Sequence, residues 1–412
     1  MAGIELPAEL QKRMVETAPV DLLIGVTGEV DVDALRARAS QLKGLRLDRE
    51  GASMVRMAVA YAGAPDREPV TDMDDDLLFA AYPAPSTTST VNLWRDVSSA
   101  QRSVLALAET WGARACMVVY GDQAALNQET VRAFATPVLN GEADLVMPLY
   151  PAGKHDGLIN KSILAPMSRA LYGRRVRWPL PADYCAGAQV LTHLARDPRT
   201  KSEANLLWPS NLVAMRGGQI GQVGLNVRHV LPSEGLDLNA VMRELVGSLF
   251  DEVEANAAQW QKVRASQAAP RYGDPCLPAE DEEVVDPRST MESFVIASRN
   301  LEELWRLVLP PATVLELKRM ARLEVLQFRM PDALWARIVY DFALAYRMRR
   351  VSRVHLLGAL TPLYLGWVAG YVQEVAGMTA QEAERRVDQL AKTFEEQKPY
   401  FVSRWRWPER VV

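Results

Sequence analysis

This chain has little of what marks secreted, nucleic-acid-binding or membrane proteins. It carries 3 cysteines and 4 histidines in 412 residues. Cys116, Cys185 and Cys276 are odd in number and far apart, which excludes a disulfide framework or a zinc knuckle and fits a reducing, cytoplasmic setting. Basic charge is not in excess. Against 51 Asp and Glu stand 47 Lys and Arg, a formal net charge of -4, so nothing resembles a nucleic-acid footprint. The N-terminal "MAGIELPAELQKRMVETAP" contains acids and no continuous apolar run, so it does not read as a signal peptide. One stretch approaches membrane composition, "LLGALTPLYLGWVAGYV" from Leu356 to Val372. It falls short of the roughly 20 residues of a span, and Pro362 and two glycines interrupt it. The expectation is a buried helix or helix pair and no membrane span.

What is present is ordinary globular composition, 49% hydrophobic and 24% charged, in a chain long enough for two or three domains. The first two-thirds alternates apolar runs with helical patterns. "VDLLIGV" (Val20 to Val26) leads into the helical "DVDALRARASQL". "MVRMAVAYAG", "DLLFAAYP" and "ACMVVY" are nearly continuous apolar runs, as in strands covered on both faces. Between the last two, "DVSSAQRSVLALAETWG" reads as a helix that starts at a Ser cap and ends at Gly112. Strand–helix–strand alternation predicts a mostly parallel α/β sheet, whose ligands bind beyond the carboxyl ends of its strands. That rule puts Asp122, which follows "ACMVVY", at a site edge.

From 266 to 289 the chain turns rich in proline and acid, the chemistry of a linker or surface loop. Beyond it helical periodicity dominates. Trp335, Ile338, Val339 and Phe342 share one face, and Thr379 with Glu382 forms a capping box ahead of a Val387, Leu390, Ala391, Phe394 stripe. The expected organisation is therefore an α/β domain over 1–265, a linker over 266–289 and a helical region over 290–412.

Four pieces gather polar chemistry: "VVYGDQ" with Asp122; "KHDGLIN" with Lys154, His155, Asp156 and Asn160; "RRVRWPLPADY" with Arg174, Arg175, Arg177 and Asp183; and "NVRHV" with His229. Carboxylates with imidazole suit a hard divalent ion, Mg²⁺ or Mn²⁺, and the cations suit a diphosphate. Each also has a plainer reading. Asp122 after Gly121 is turn chemistry, His155 and Asp156 would cap a helix starting near Leu158, and the arginines would form a solvated strand face. Cys185 beside Asp183 lacks a base at readable spacing and reads as a small buried residue.

The run "ADLVMPLYPAGKHDGLINKSILAPMSRALYGRRVRWPLPADY", with "VMRELVGSLFDEVEANAAQW" and "FEEQKPYFVSRW", resembles cytoplasmic nucleotide-sugar glycosyltransferases of the mannosylglycerate synthase and glucosyl-3-phosphoglycerate synthase type. The resemblance implies a GT-A fold, a Rossmann-like nucleotide-diphospho-sugar transferase domain with an all-helical C-terminal region. It also implies a UDP- or GDP-linked sugar donor, a small and perhaps anionic glycerate-like acceptor, and retention of anomeric configuration. Asp122 then stands for the second aspartate of the family's Asp-x-Asp, with Tyr120 in place of the first, and His229 for its metal-binding histidine. Asp183 faces the donor sugar. Lys154, Asp156 and Asn160, with His155, lie near sugar and acceptor, and Arg174 and Arg177 can grip phosphate or carboxylate. On the nucleotide side the pattern departs: "GVTGEVD", "STTSTVNLWRDVSS" and "WPSNL" replace the family's base-binding turn, its Gly-Lys-Gly turn and a Gly-Ile-Asp motif. Two rival readings follow, a non-catalytic homologue that keeps the pocket for binding or regulation, and a helical scaffold with the acids at Glu280 to Glu283 as a partner surface. A homo-oligomer is compatible with all three.

Overall fold

The structure is a computed structural model and describes residues 6–47, 55–64, 70–83, 93–121, 126–197, 205–225, 237–276, 279 and 285–408. The chain divides into two compact units that interleave in sequence. The first is Met1–Pro151, Val176–Glu234 and Ala268–Leu277; the second is Ala152–Arg175, Gly235–Gln267 and Pro278–Val412.

The first unit is built on a nine-stranded sheet. Its strands are β1 (Leu22–Thr27), β2 (Met57–Gly63), β3 (Thr71–Asp74), β4 (Leu77–Pro83), β5 (Ala115–Tyr120), β6 (Leu145–Leu149), β8 (Tyr184–Gly187), β9 (Ile220–Gly224) and β11 (Arg271–Tyr272). The two-residue strands β7 (Arg174–Arg175) and β10 (Gln267–Ala268) lie outside it. The order is β11-β9-β6-β8-β5-β1-β2-β4-β3. Only β8, between β5 and β6, and the edge strand β3 run antiparallel to their neighbours. The apolar runs of the sequence became β1, β2, β4 and β5, buried almost end to end because helices cover both faces of a parallel sheet.

Helices α1 (Ala8–Thr17), α2 (Val32–Ser40), α3 (Leu93–Thr110) and α4 (Gln128–Leu139) belong to this unit, as do α6 (Ala188–Arg196) and α7 (Pro209–Met215). Helix α3 packs on β1 and β5. It comes so close that a Cβ at Gly25 would lie 2.1 Å from a Val104 methyl, which is why a glycine interrupts that strand. The proline-rich stretch after 266 supplies β11, parallel to β9. There the Tyr272 ring covers Gly221, where a Cβ would meet it at 2.2 Å. A two-residue strand among exposed polar residues leaves no periodicity to read.

The second unit is helical: α5 (Ala165–Tyr172), α8 (Leu238–Ala255), α9 (Ala257–Trp260), α10 (Pro287–Asn300), α11 (Glu302–Val308), α12 (Pro311–Met320), α13 (Asp332–Met348), α14 (Arg353–Val375) and α15 (Ala380–Arg406). Trp335, Ile338, Val339 and Phe342 are all fully buried on α13. The Thr379–Glu382 capping box opens α15. The membrane-like stretch is α14, a core helix packed on α8, α10 and α13. No helix among the described residues is long and apolar enough to cross a membrane.

Candidate functional site

In the sheet, the chain leaves β1 toward β2 on one side and later reaches β5 on the other. The order therefore reverses between β1 and β5, the place where open α/β sheets hold ligands. Their carboxyl ends are bridged. The Gly121 N–H donates to the Thr27 carbonyl at 2.9 Å, and the Thr27 hydroxyl to the Val119 carbonyl at 3.3 Å. Gly28 and Gly121 leave the two strands with φ of 88° and 64°, a left-handed exit that suits glycine. Asp122 follows at once but lies outside the described residues, and so does His229.

Asp183 stands beside this edge. It is 4% exposed, and both carboxylate oxygens are engaged: the Tyr120 N–H donates to one at 2.7 Å, and the Tyr150 hydroxyl to the other at 2.5 Å. The same tyrosine oxygen accepts from the Asp183 N–H at 3.3 Å. Buried Gln101, from α3, donates to the carbonyls of Pro181 and Ala182 and holds the preceding turn. Trp178 packs its edge on the Tyr150 ring at 5.5 Å. Burial and then the Asp183 charge push the Tyr150 phenol well above its ordinary range, so it stays a donor. Asp183 is thus a fixed acceptor that pins the last residue of β5.

Two more acids border the edge. Burial, followed by the charges of Asp96 and Glu29, raises the Tyr120 phenol, and burial raises the Asp96 carboxyl. Tyr120, Tyr150, Glu29 and Asp96 were not among the residues expected from sequence. For Glu29 a signal existed, since "TGEV" puts an acid directly after the first strand. For Tyr150 there was none, because its partner Asp183 is distant in sequence. Arg177, in the same unit, is half-buried and its N–H donates to the Gln222 side chain at 2.9 Å.

Lys154, His155, Asp156, Asn160 and Arg174 belong to the helical unit. The Asp156 carboxylate accepts from the Gly153 N–H at 2.8 Å, closing the loop on itself. The Lys154 ammonium lies 3.5 and 3.3 Å from the Val375 and Met378 carbonyls, where the negative end of the α14 dipole favours a cation. Buried Lys161 donates to the Gly153 and Lys154 carbonyls, and the Tyr371 hydroxyl also donates to that of Lys154. A π-turn follows over Asn160–Leu164, with Asn160 buried at its start and His155 half-buried before it. Such turns recur at functional sites. Arg174 and Arg175 bond the side chains of Gln267 and Ser266. Cys185 is fully buried and its thiol is pushed far up by burial, as expected of a packing residue.

No group of three His, Cys, Asp or Glu among the described residues could hold a metal ion. The sequence matches no protein-family model and no curated protein.

Proposed function

We propose that the chain transfers a hexose from a nucleotide-diphosphate sugar to a small hydroxylated acceptor. The observation that carries this reading is the edge at β1 and β5, where Asp183 is locked against Tyr120, two residues before Asp122. An antiparallel strand set between parallel ones, beside a β1/β5 reversal, is compatible with the GT-A fold that the sequence resemblance implies. Asp122 and His229 offer an oxygen and an imidazole, a donor pair suited to Mg²⁺ or Mn²⁺, which when bound neutralises charge on the leaving diphosphate. Asp183 would orient the donor sugar. In the reaction the bond from the anomeric carbon to the diphosphate breaks and the acceptor oxygen bonds that carbon on the same face. The acceptor proton passes to the leaving phosphate oxygen.

A second reading, a homologue that binds without catalysis, is favoured by one feature: the Asp183 oxygens and the Lys154 ammonium already have partners within their own units. Calorimetric titration of UDP-glucose and GDP-mannose, with and without Mn²⁺, tests both. Metal-dependent binding that weakens at least about tenfold in Asp122→Ala supports the transferase, and acceptor-dependent release of nucleoside diphosphate then separates it from the binder. No binding of either donor at millimolar concentration sinks both.

A further inference from the structure

The helical unit has a cleft of about 540 Å³ bounded by α13, α14 and α15, within the size range of small-molecule sites. Its floor carries the aromatic residues Trp367 and Tyr371. The Trp367 ring stacks on Tyr371 at 4.9 Å and is backed, beneath the floor, by Trp335 at 6.3 Å. Between those floor residues Gly370 lets the opposite wall close in, since a Cβ there would come within 3.3 Å of the Met330 nitrogen.

The side wall is a fork of charges. Both carboxylate oxygens of Asp332 accept from the Arg386 guanidinium, at 2.6 and 2.9 Å. The Arg386 Nε–H donates to Glu374 Oε1 at 2.7 Å, and Glu374 lines the cleft. Arg329 and Gln389 stand exposed at its mouth. Two guanidiniums and two carboxylates line this cleft, so their charges cancel. An anionic ligand would meet Asp332 and Glu374, and a cationic one would meet Arg386 and Arg329. Either would pay like-charge repulsion on entry. What the walls offer is a mixture of donors and acceptors on planar groups above an apolar floor. A hydroxyl group both donates and accepts, so a ligand bearing many hydroxyls and no charge matches such a set.

We propose that this cleft binds a neutral saccharide. The inference goes beyond sugar transfer at the sheet edge and stands whether or not that reading holds. It needs neither nucleotide nor metal.

Saturation-transfer NMR titrations of the full chain with D-glucose, D-mannose and trehalose test it, with inorganic phosphate and choline as charged controls. The Arg329→Ala/Gln389→Ala double variant removes two exposed side chains and leaves the core alone. Gly370→Ala presses from the floor helix on the Met330 backbone and so perturbs the facing wall. The expected result is binding of at least one sugar that weakens about tenfold or more in the double variant, also weakens in Gly370→Ala, and is unchanged in Asp122→Ala. The proposal is overturned if no sugar binds at about 50 mM, if the double variant leaves sugar affinity unaltered, or if binding disappears in Asp122→Ala, which would move it to the sheet unit. Phosphate or choline binding that is lost with the double variant also overturns it.

Discussion

Among the described residues the sheet unit fully buries one ionisable carboxylate, Asp183, and surrounds it with neutral donors. The helical unit buries Lys161, Arg169, Glu244, Asp341 and Lys398. The difference follows from how each closes its backbone. Strand ladders satisfy their own N–H and C=O groups, so a sheet can be sealed with apolar side chains. Each unit is assembled from three separate stretches of chain, but in the helical one loops and helix ends leave carbonyls inside. Long cationic side chains reach them. Lys398, in the last stretch, donates to the Ala170 carbonyl in the first at 2.9 Å and to the Val263 carbonyl in the second at 2.8 Å. One ammonium therefore fastens all three.

The largest effect should come from breaking the ion pair that joins α13 to α15. Asp341 is 1% exposed, meets the Arg404 guanidinium at 2.8 Å and accepts from the Tyr400 hydroxyl. Asp341→Ala leaves a mostly buried guanidinium uncompensated and should cost about 3–5 kcal/mol in chemical denaturation. Burial raises the Asp341 carboxyl to about 7 against the pull of Arg404. Its folded value thus lies above its unfolded one, so this group's contribution is present in acid and lost as pH rises through about 7. Asp341→Asn should flatten that dependence; an unchanged profile would assign it elsewhere.

Next in size is Lys398→Met, which strips two carbonyls of their donor and should cost about 2–3 kcal/mol. Burial, then the charge of Arg264, lowers the Lys398 ammonium to about 8 from 10.5. Between those values the unfolded chain holds the extra proton, so wild-type stability gains with rising pH and the variant lacks that gain. A loss below half of this range would show that the three stretches hold together without the lysine.

The smallest effect is expected in the sheet unit. Tyr150→Phe takes one donor from Asp183 and should cost about 1–2 kcal/mol. If Asp183 serves a ligand through its fixed position, the same variant should weaken donor binding in calorimetry more than it lowers stability. Equal stability with unaltered binding would make the Tyr150–Asp183 pair incidental.

Much of the architecture was legible because it repeats. Continuous apolar runs announced β1, β2, β4 and β5, and a periodicity of 3.6 announced the buried face of α13. The edge strand β11 was too short to announce itself. A reading along the chain draws its boundaries once, at 265 and 289, whereas contacts assign Ala152–Arg175 and α8 to the helical unit. The candidate site was legible only as residue types. Asp183 and the "KHDGLIN" loop were visible as polar clusters, but the donors to Asp183 and the carbonyls that accept from Lys154 come from distant parts of the chain.

Local propensity and hydrophobic period are properties of neighbouring residues, and they determined β1, β2, β4 and β5, the buried face of α13, the Thr379 cap and the burial of α14 without any reference to the fold. Partner choice is a property of distance in space. Only the tertiary structure decided that Tyr150 and the Tyr120 N–H close on Asp183, that Lys398 spans three stretches, and that Arg386 settles between Asp332 and Glu374. A buried polar group must take whichever partner packing brings within reach, and chain order does not encode that choice.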